Sequence, residues 1–259
     1  MNPSQTPLIV LMTDFGNDPY TGIMKGRILQ INPSANIISL TNHIQNHDIR
    51  QGAFVLLKSY KYFPLNTIFL IVVDPGVGGP RNAIGAQIKN YYFIGPDNGI
   101  LAPMLSEFEE VLIVDLPVPN KASFTFHGRD VFAPAAGKLS QTYSLTDLGS
   151  LSVLKTPLRF FWDPRTSSGE VIFVDHFGNI ITNLPSSMDL EFGEKYLITT
   201  RQIEITMSLK RGYFEGSDEN PFLLVNSFNT LEIALRNGKA SDILDISPGD
   251  RIQIHLNDN

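Results

Sequence analysis

Two aspartates in this chain end apolar runs and lead into glycine-containing turns: Asp14 in "LIVLMTDFGND" and Asp74 in "TIFLIVVDPGVGGPR". Arg81 follows Asp74 in the same glycine-rich stretch, and His127 opens "HGRD" between the apolar aromatic runs of "SFTFHGRDVFAP". Carboxylate, guanidinium and imidazole groups hold polar ligands, steady developing charge and move protons. Burying any of them unpaired costs several kcal/mol. The "HGRD" stretch is therefore either a solvated turn or part of a site. One aspartate at a strand end reads equally well as a loop or helix cap. Two at equivalent ends, joined by Arg81 and by a histidine before a helix, point to a site. Arg129 and Asp130 read as a structural pair at that helix start.

A second set of polar residues lies further along. "VDHFGNIITN" puts Asp175, Phe177, Asn179 and Asn183 into one strand–turn–strand, and "LLVNSFNTLEIAL" places Asn226, Ser227 and Glu232 among apolar strand residues. An aromatic face beside an amide suits an adenine ring, by stacking and edge hydrogen bonds. Other site chemistries lack their patterns. "GVGG" is not G-x-G-x-x-G, no G-K-[ST] follows a glycine-rich loop, and G-x-S-x-G is absent. His43 and His47 have helical metal-pair spacing, but they flank "IQN" ahead of a helix and read as solvated loop residues. No compact His/carboxylate cluster suggests a metal.

The elements that must position these residues change character along the chain. In the first part, buried strands alternate with helices. "NDPYTGIMKGRILQINP" offers Asp18 as N-cap, Pro19 at the first helical position and Pro33 as the stop. "DIRQGAFVLLKSYKYFP" places Ile49, Ala53, Leu56 and Tyr60 on one stripe, "AIGAQIKNYYFIG" reads as a hairpin, and "GRDVFAPAAGKL" reads as a helix kinked at Pro134. This pattern predicts an α/β domain over residues 1–155 with a mostly parallel, helix-covered sheet. Residues 156–169 read as a linker, and 170–259 as an all-β domain, a small barrel or sandwich, interrupted by the short helix "KASDILD".

Composition limits the partners. With 259 residues, 42% hydrophobic and 18% charged, the chain has the make-up of a soluble globular protein. A net charge of −6, with no basic run longer than two residues, argues against nucleic acid or an anionic membrane as partner. Cysteine is absent, which removes disulfides and thiolate metal sites. "MNPSQTPLIVLMTDF" lacks the pattern of a signal peptide, and no apolar run approaches the roughly 20 residues of a membrane span. A cytoplasmic location is the expectation.

Together and in order, "TDFGNDPYTGIMKG", "VVDPGVGGPR", "IGPDNGIL", "FTFHGRDVFAPAA", "DHFGNIITN" and "NSFNTLEIA" resemble the S-adenosyl-L-methionine (SAM) hydroxide adenosyltransferases. The resemblance runs from about residue 8 to about residue 256. That family hydrolyses SAM to adenosine and methionine and is similar to the SAM-dependent fluorinase and chlorinase. The resemblance implies an N-terminal α/β domain, a C-terminal β domain, and a homotrimer with active sites at subunit interfaces. SAM is then a substrate and no cofactor or metal is expected. A hydroxide-handling triad falls on Asp74, Arg81 and His127, with either Asp74 or His127 taking the proton. Asp14 corresponds to the carboxylate that grips the ribose diol, Asp175 and Ser227 to the methionine end, and Phe177, Asn179 and Tyr213 to the surroundings of the adenine. Two stretches depart from the family pattern: Asn229–Thr230 stands where Gly-Tyr is common, and "NHIQNHDIRQGA" is polar where prolines are usual. The implied alternatives are a SAM-dependent halogenase, which lacks the Arg–His pair, and a non-catalytic SAM- or adenosine-binding sensor.

Overall fold

Apolar runs too short and too β-branched for helices become the central strands. In the computed structural model, which describes residues 6–256, β1 (Leu8–Thr13) is followed by α1 (Tyr20–Ile31), β2 (Asn36–Thr41), α2 (Ile49–Ser59) and β3 (Ile68–Val72). Then come the hairpin β4 (Ala83–Ile88) and β5 (Tyr91–Pro96), α3 (Ala102–Leu105), β6 (Leu112–Asp115), α4 (Ala133–Thr142) and β7 (Ser150–Leu151). The seven strands form one sheet in the order β2-β1-β3-β5-β4-β6-β7. The sheet is mixed. It runs parallel from β2 through β1 and β3 to β5, and antiparallel from β5 through β4 and β6 to β7. The hairpin explains the change of sense: β5 pairs parallel with β3, so β4 must run against it.

Both faces of the sheet are covered. On one, Met24 and Ile28 of α1 and Phe132, Ala136 and Leu139 in and beside α4 pack onto Leu11, Leu70 and Ile94. On the other, Phe69 and Phe93 stack at 5.2 Å between ring centres beneath Tyr60 and Phe63. Pro19 lies just outside α1 in helical conformation, no side chain caps the helix, and Asp18 instead turns back to the Phe15 carbonyl at 3.1 Å. Asp48 does cap α2, accepting from the Gln51 amide at 2.8 Å. Before α4 the chain makes a π-helical turn, Gly128–Phe132, closed by the Ala133 amide on the Gly128 carbonyl. The wider turn gives the ring of Pro134 room that a regular helix would deny it, so the adjustment comes ahead of the proline.

The chain divides into two units between Arg159 and Phe160. The second unit contains β8 (Ser168–Val174), β9 (Ile180–Pro185), β10 (Lys195–Thr199), β11 (Glu204–Lys210), β12 (Phe222–Val225), β13 (Thr230–Ala234), α5 (Ala240–Ile243) and β14 (Arg251–Leu256). Its strands close into a barrel in the order β10-β11-β12-β13-β9-β8-β14. Closure removes the unpaired strand edges that an open sheet exposes. Inward residues at every second position, such as Leu231 and Ile233 of β13 and Ile252 and Ile254 of β14, fill the interior. Among the described residues no helix is long and apolar enough to cross a membrane. Removing the α2 cap in Asp48→Ala is expected to cost about 1 kcal/mol. This would appear as a lower urea midpoint for the transition of the α/β unit with an unchanged slope.

Candidate functional site

In an open parallel sheet, ligands gather beyond the carboxyl ends of the strands, where loops diverge and backbone polar groups are free. The first unit obeys this rule. The loops after β1, β2 and β3 and the segment before α4 enclose a cleft of about 410 Å³, walled by Asp14, Asn46, His47, Asp74, Phe126 and His127 among others. Arg81 stands behind this wall. Its Nε donates to both Asp74 oxygens at 3.0 and 3.1 Å, and its Nη2 donates to Asp74 Oδ2 in a very short contact. The same Nη2 lies 2.9 Å from His127 Nδ1. The side chains of Arg81 and Asp74 are only 9% and 4% exposed, and His127 is 5% exposed. The guanidinium also lies over the Phe132 ring at 5.3 Å. Its remaining nitrogen, Nη1, is buried and has no hydrogen-bond partner among the described residues.

That arrangement fixes the state of the imidazole. Arg81 has only hydrogens to offer, so His127 Nδ1 accepts and the ring proton of the neutral form sits on Nε2. Burial holds the His127 pKa below the ordinary histidine value, and the neighbouring Arg81 charge pushes the same way, against the weaker pull of Asp74 and Asp130. His127 is therefore neutral at neutral pH, and the cluster's cation is Arg81.

Backbone geometry brings the three residues together. Asn98, in the turn after β5, donates to the Val73 carbonyl at 2.9 Å and so holds the residue before Asp74. Gly78 has φ of +75°, and any Cβ there would collide with the Phe124 carbonyl oxygen. The absence of a side chain at Gly78 lets the Asp74–Arg81 loop lie directly on the segment that carries His127. Arg129 and Asp130 pair at 2.7 and 2.8 Å, and Asp130 also accepts from the Ser123 amide at 2.8 Å, which ties down the other end of that segment. Asp14 Oδ2 accepts from the His47 amide at 2.9 Å, with His47 at φ of +67°. His43 and His47 are exposed loop residues.

The barrel unit carries a second cleft of about 660 Å³, lined by His176, Phe177, Asn179, Tyr213, Arg236 and Lys239 among others. Asp175 sits at the β8–β9 turn. One of its oxygens accepts from the Phe177 and Asn179 amides at 2.9 Å, and the other from Asn179 Nδ2 at 3.1 Å. Gly178 completes the turn at φ of +84°, close against Lys239. Asn179 Nδ2 also reaches the Tyr213 hydroxyl at 3.2 Å, and that hydroxyl donates to Glu232. The structure thus gathers Asp175, Phe177, Asn179 and Tyr213. Ser227 is exposed in the turn between β12 and β13 and does not line this cleft.

Sequence reasoning gives no role to Phe15 and Phe126, whose edge-to-face contact at 6.1 Å forms an aromatic wall of the first cleft, or to the basic residues around the second. Glu232 is noted but unassigned; an acid in the middle of the apolar run "TLEIAL" was the available signal. Among the described residues, no group of three His, Asp or Glu side chains is placed to hold a metal ion.

The chain thus combines an α/β unit that carries an acid–guanidinium–imidazole cluster at its strand ends with a closed barrel that carries an aromatic and amide cleft. Residues 9–149 match the model of the SAM hydroxide adenosyltransferase N-terminal domain and residues 169–253 that of its C-terminal domain. The chain belongs to the SAM hydroxide adenosyltransferase family. It is 32% identical to the (R)-S-adenosyl-L-methionine hydrolase of Salinispora arenicola, with 97% of this chain and 98% of that protein covered. A fluorinase from an Actinoplanes species is 25% identical over 74% of this chain and 76% of its own length. The crystal structure of an uncharacterized conserved protein from Thermotoga maritima superposes with a TM-score of 0.88 at 33% identity, covering 96% of this chain and 100% of that one.

The His127 ring is expected to titrate below its ordinary value of about 6.5 in an NMR pH series. In Arg81→Met the guanidinium charge is gone and Asp74 is unopposed, so the titration should move to higher pH. An unchanged midpoint would show that Arg81 does not set the imidazole's charge.

Proposed function

We propose that the protein hydrolyses S-adenosyl-L-methionine to adenosine and L-methionine by in-line attack of hydroxide, formed from a bound water, on the C5′ carbon. The observation that carries this reading is the buried Arg81, clamped by Asp74 and in contact with His127, with one guanidinium nitrogen left unpaired. The sulfonium is already a good leaving group and departs as a neutral thioether, so no acid has to protonate it. Water is the difficult partner, because its pKa of about 15.7 leaves almost no hydroxide at neutral pH. A fixed cation and a neutral imidazole N–H can stabilise oxygen as it becomes negative, and a water-excluding site strengthens both effects. His127, whose Nδ1 lone pair is taken by Arg81, holds the water through its Nε2–H, and Asp74, which lines the same cleft, accepts the proton that the water loses. Arg81 supplies the positive charge, so turnover needs no added divalent ion.

Asp14 lines the same cleft and accepts from the ribose hydroxyls, which orients C5′ for attack. In the barrel, Phe177 and Tyr213 offer ring faces and Asn179 an amide to the adenine. Asp175 keeps lone pairs beyond its turn contacts for the substrate's ammonium, with Ser227 beside the same end. A halide nucleophile has no proton to lose, which would leave this cluster without a task; water is the nucleophile the residues suit. The two sets of residues meet one substrate at the subunit interfaces of a homotrimer, which works in the cytoplasm. The support for this assembly is the family resemblance together with the division of the substrate groups between two units.

The decisive experiment is incubation with SAM, chromatography for adenosine and methionine, and isotopic water to place the label. Expected is oxygen label at the adenosine 5′ position and activity that survives EDTA. Absence of adenosine would leave only a SAM-binding protein. Arg81→Ala and His127→Ala should each lower kcat by about 10²–10³ with little change in SAM affinity, whereas Asp14→Ala should weaken binding as well. For the assembly, light scattering should give a trimer, and mixing inactive Arg81→Ala with inactive Asp175→Ala subunits should restore activity. A fully active monomer, or no recovery despite shown subunit exchange, would refute shared sites.

A further inference from the structure

The barrel cleft contains a hydrogen-bonded relay that the chemistry at C5′ does not use. Glu232 lies mid-strand in β13, where every residue is buried, and is itself 3% exposed. It pairs with Leu224 of β12 and Ile181 of β9. Its neighbours Leu231 and Ile233 fill the barrel interior, so by strand alternation Glu232 points to the outer surface. There the short 3₁₀ turn Tyr213–Glu215 covers it, and the Tyr213 hydroxyl donates to Glu232 Oε1. With its hydrogen committed, the phenol oxygen is an acceptor, and it accepts from Asn179 Nδ2 at 3.2 Å. The second hydrogen of that amide goes to Asp175 Oδ2 at 3.1 Å, while Asp175 Oδ1 takes two backbone amides. Both hydrogens of the Asn179 side chain are therefore committed within the protein. A flipped amide would set its oxygen against the Asp175 carboxylate and the committed phenol oxygen, which is repulsive on both sides. The polar atom Asn179 has left for the cleft is Oδ1, a pure acceptor.

We propose that Glu232 is a positioning residue which, through the Tyr213 hydroxyl, locks the Asn179 amide with its carbonyl toward the cleft. The barrel thereby selects a nucleobase that presents an amino group there over one that presents a carbonyl. The inference rests on the reading above that Asn179 meets the purine. A 6-amino purine offers the N–H that Oδ1 requires. A 6-oxo purine sets one acceptor against another, and the amide cannot turn over to accommodate it without breaking the relay. Burial and the nearby Asp175 raise the Glu232 pKa against the Tyr213 hydrogen bond, which lowers it, while burial and the bond to Glu232 raise that of Tyr213, so the phenol keeps the proton it donates. The function of Glu232 is thus to remove the freedom to flip that an isolated asparagine would have.

The test is calorimetric binding of adenosine and inosine to the full-length protein and three variants, alongside wild-type SAM turnover and a thermal melt of each variant. The wild type should prefer adenosine by roughly tenfold or more, the effect of one buried unpaired polar contact. Tyr213→Phe keeps the ring, and its site is 49% exposed, so the fold should tolerate it. Freed of the relay, its preference should collapse toward unity. Glu232→Gln still offers the Tyr213 hydroxyl an acceptor and should retain the preference, whereas Glu232→Ala should lose it. Equal wild-type affinity for the two nucleosides, or a wild-type ratio preserved in folded Tyr213→Phe, overturns the proposal. If SAM is hydrolysed but the nucleosides are not distinguished, this inference fails alone. If adenosine is preferred through the relay but SAM is not turned over, this inference stands and the hydrolase reading fails.

Discussion

The site depends on one buried ion pair. Arg81 is held by both oxygens of Asp74 in surroundings that leave each side chain under a tenth exposed. Such a pair adds little net stability, because desolvation offsets most of the attraction, but removing one partner costs about 3–5 kcal/mol. Each therefore holds the other in place. From that anchored guanidinium follow the tautomer and charge of His127 and the direction of the free Nη1. An arginine is the side chain suited to this: its planar fork meets a carboxylate with two donors and still has others to direct elsewhere. A lysine could carry the charge but not the geometry.

The barrel handles polarity differently. Its cluster is built from one donor per link, running from the Asn179 amide through Tyr213 to Glu232, and it ends in an acid covered by the fold. The first unit gathers buried charge, and the second gathers hydrogen-bond donors and acceptors. Both depend on turns whose backbone admits only glycine, at Gly78 and Gly178. In both, the polar residues extend from strand ends or strand faces whose register is fixed by apolar neighbours.

Much of this could be read in the sequence, for physical reasons. Apolar runs stopping at Asp14 and Asp74 announce strand ends, and short β-rich segments announce the barrel. The α/β class, the later β domain and the family all follow from residue patterns. The mixed sense of the sheet was less visible: the run "AIGAQIKNYYFIG" declares a hairpin but not which of its strands joins the parallel half. Pro19 looks like a first helical residue, yet lies just outside α1, because a helical φ is available to it before the hydrogen-bonded turns begin. Pro134 suggested a kink, and the chain answers with a π turn that ends two residues before it. Glu232 stayed without a role because its partner Tyr213 reaches it only once β11, β12 and β13 lie side by side, on the outer face of the barrel. No spacing in the sequence records that contact.

The close approach of Gly78 to the Phe124 carbonyl has a consequence for how the Asp74–Arg81–His127 cluster can change over time or by design. Two stretches far apart in the chain are pressed together with no side chain between them, so neither can be altered in length or outline without disturbing the other. Transplanting Asp74 and Arg81 onto another scaffold would carry only half of the apparatus. The portable unit is the pair of loops with their shared backbone contact, and a library that varies one of them alone would sample mostly sequences in which His127 has lost its neighbour.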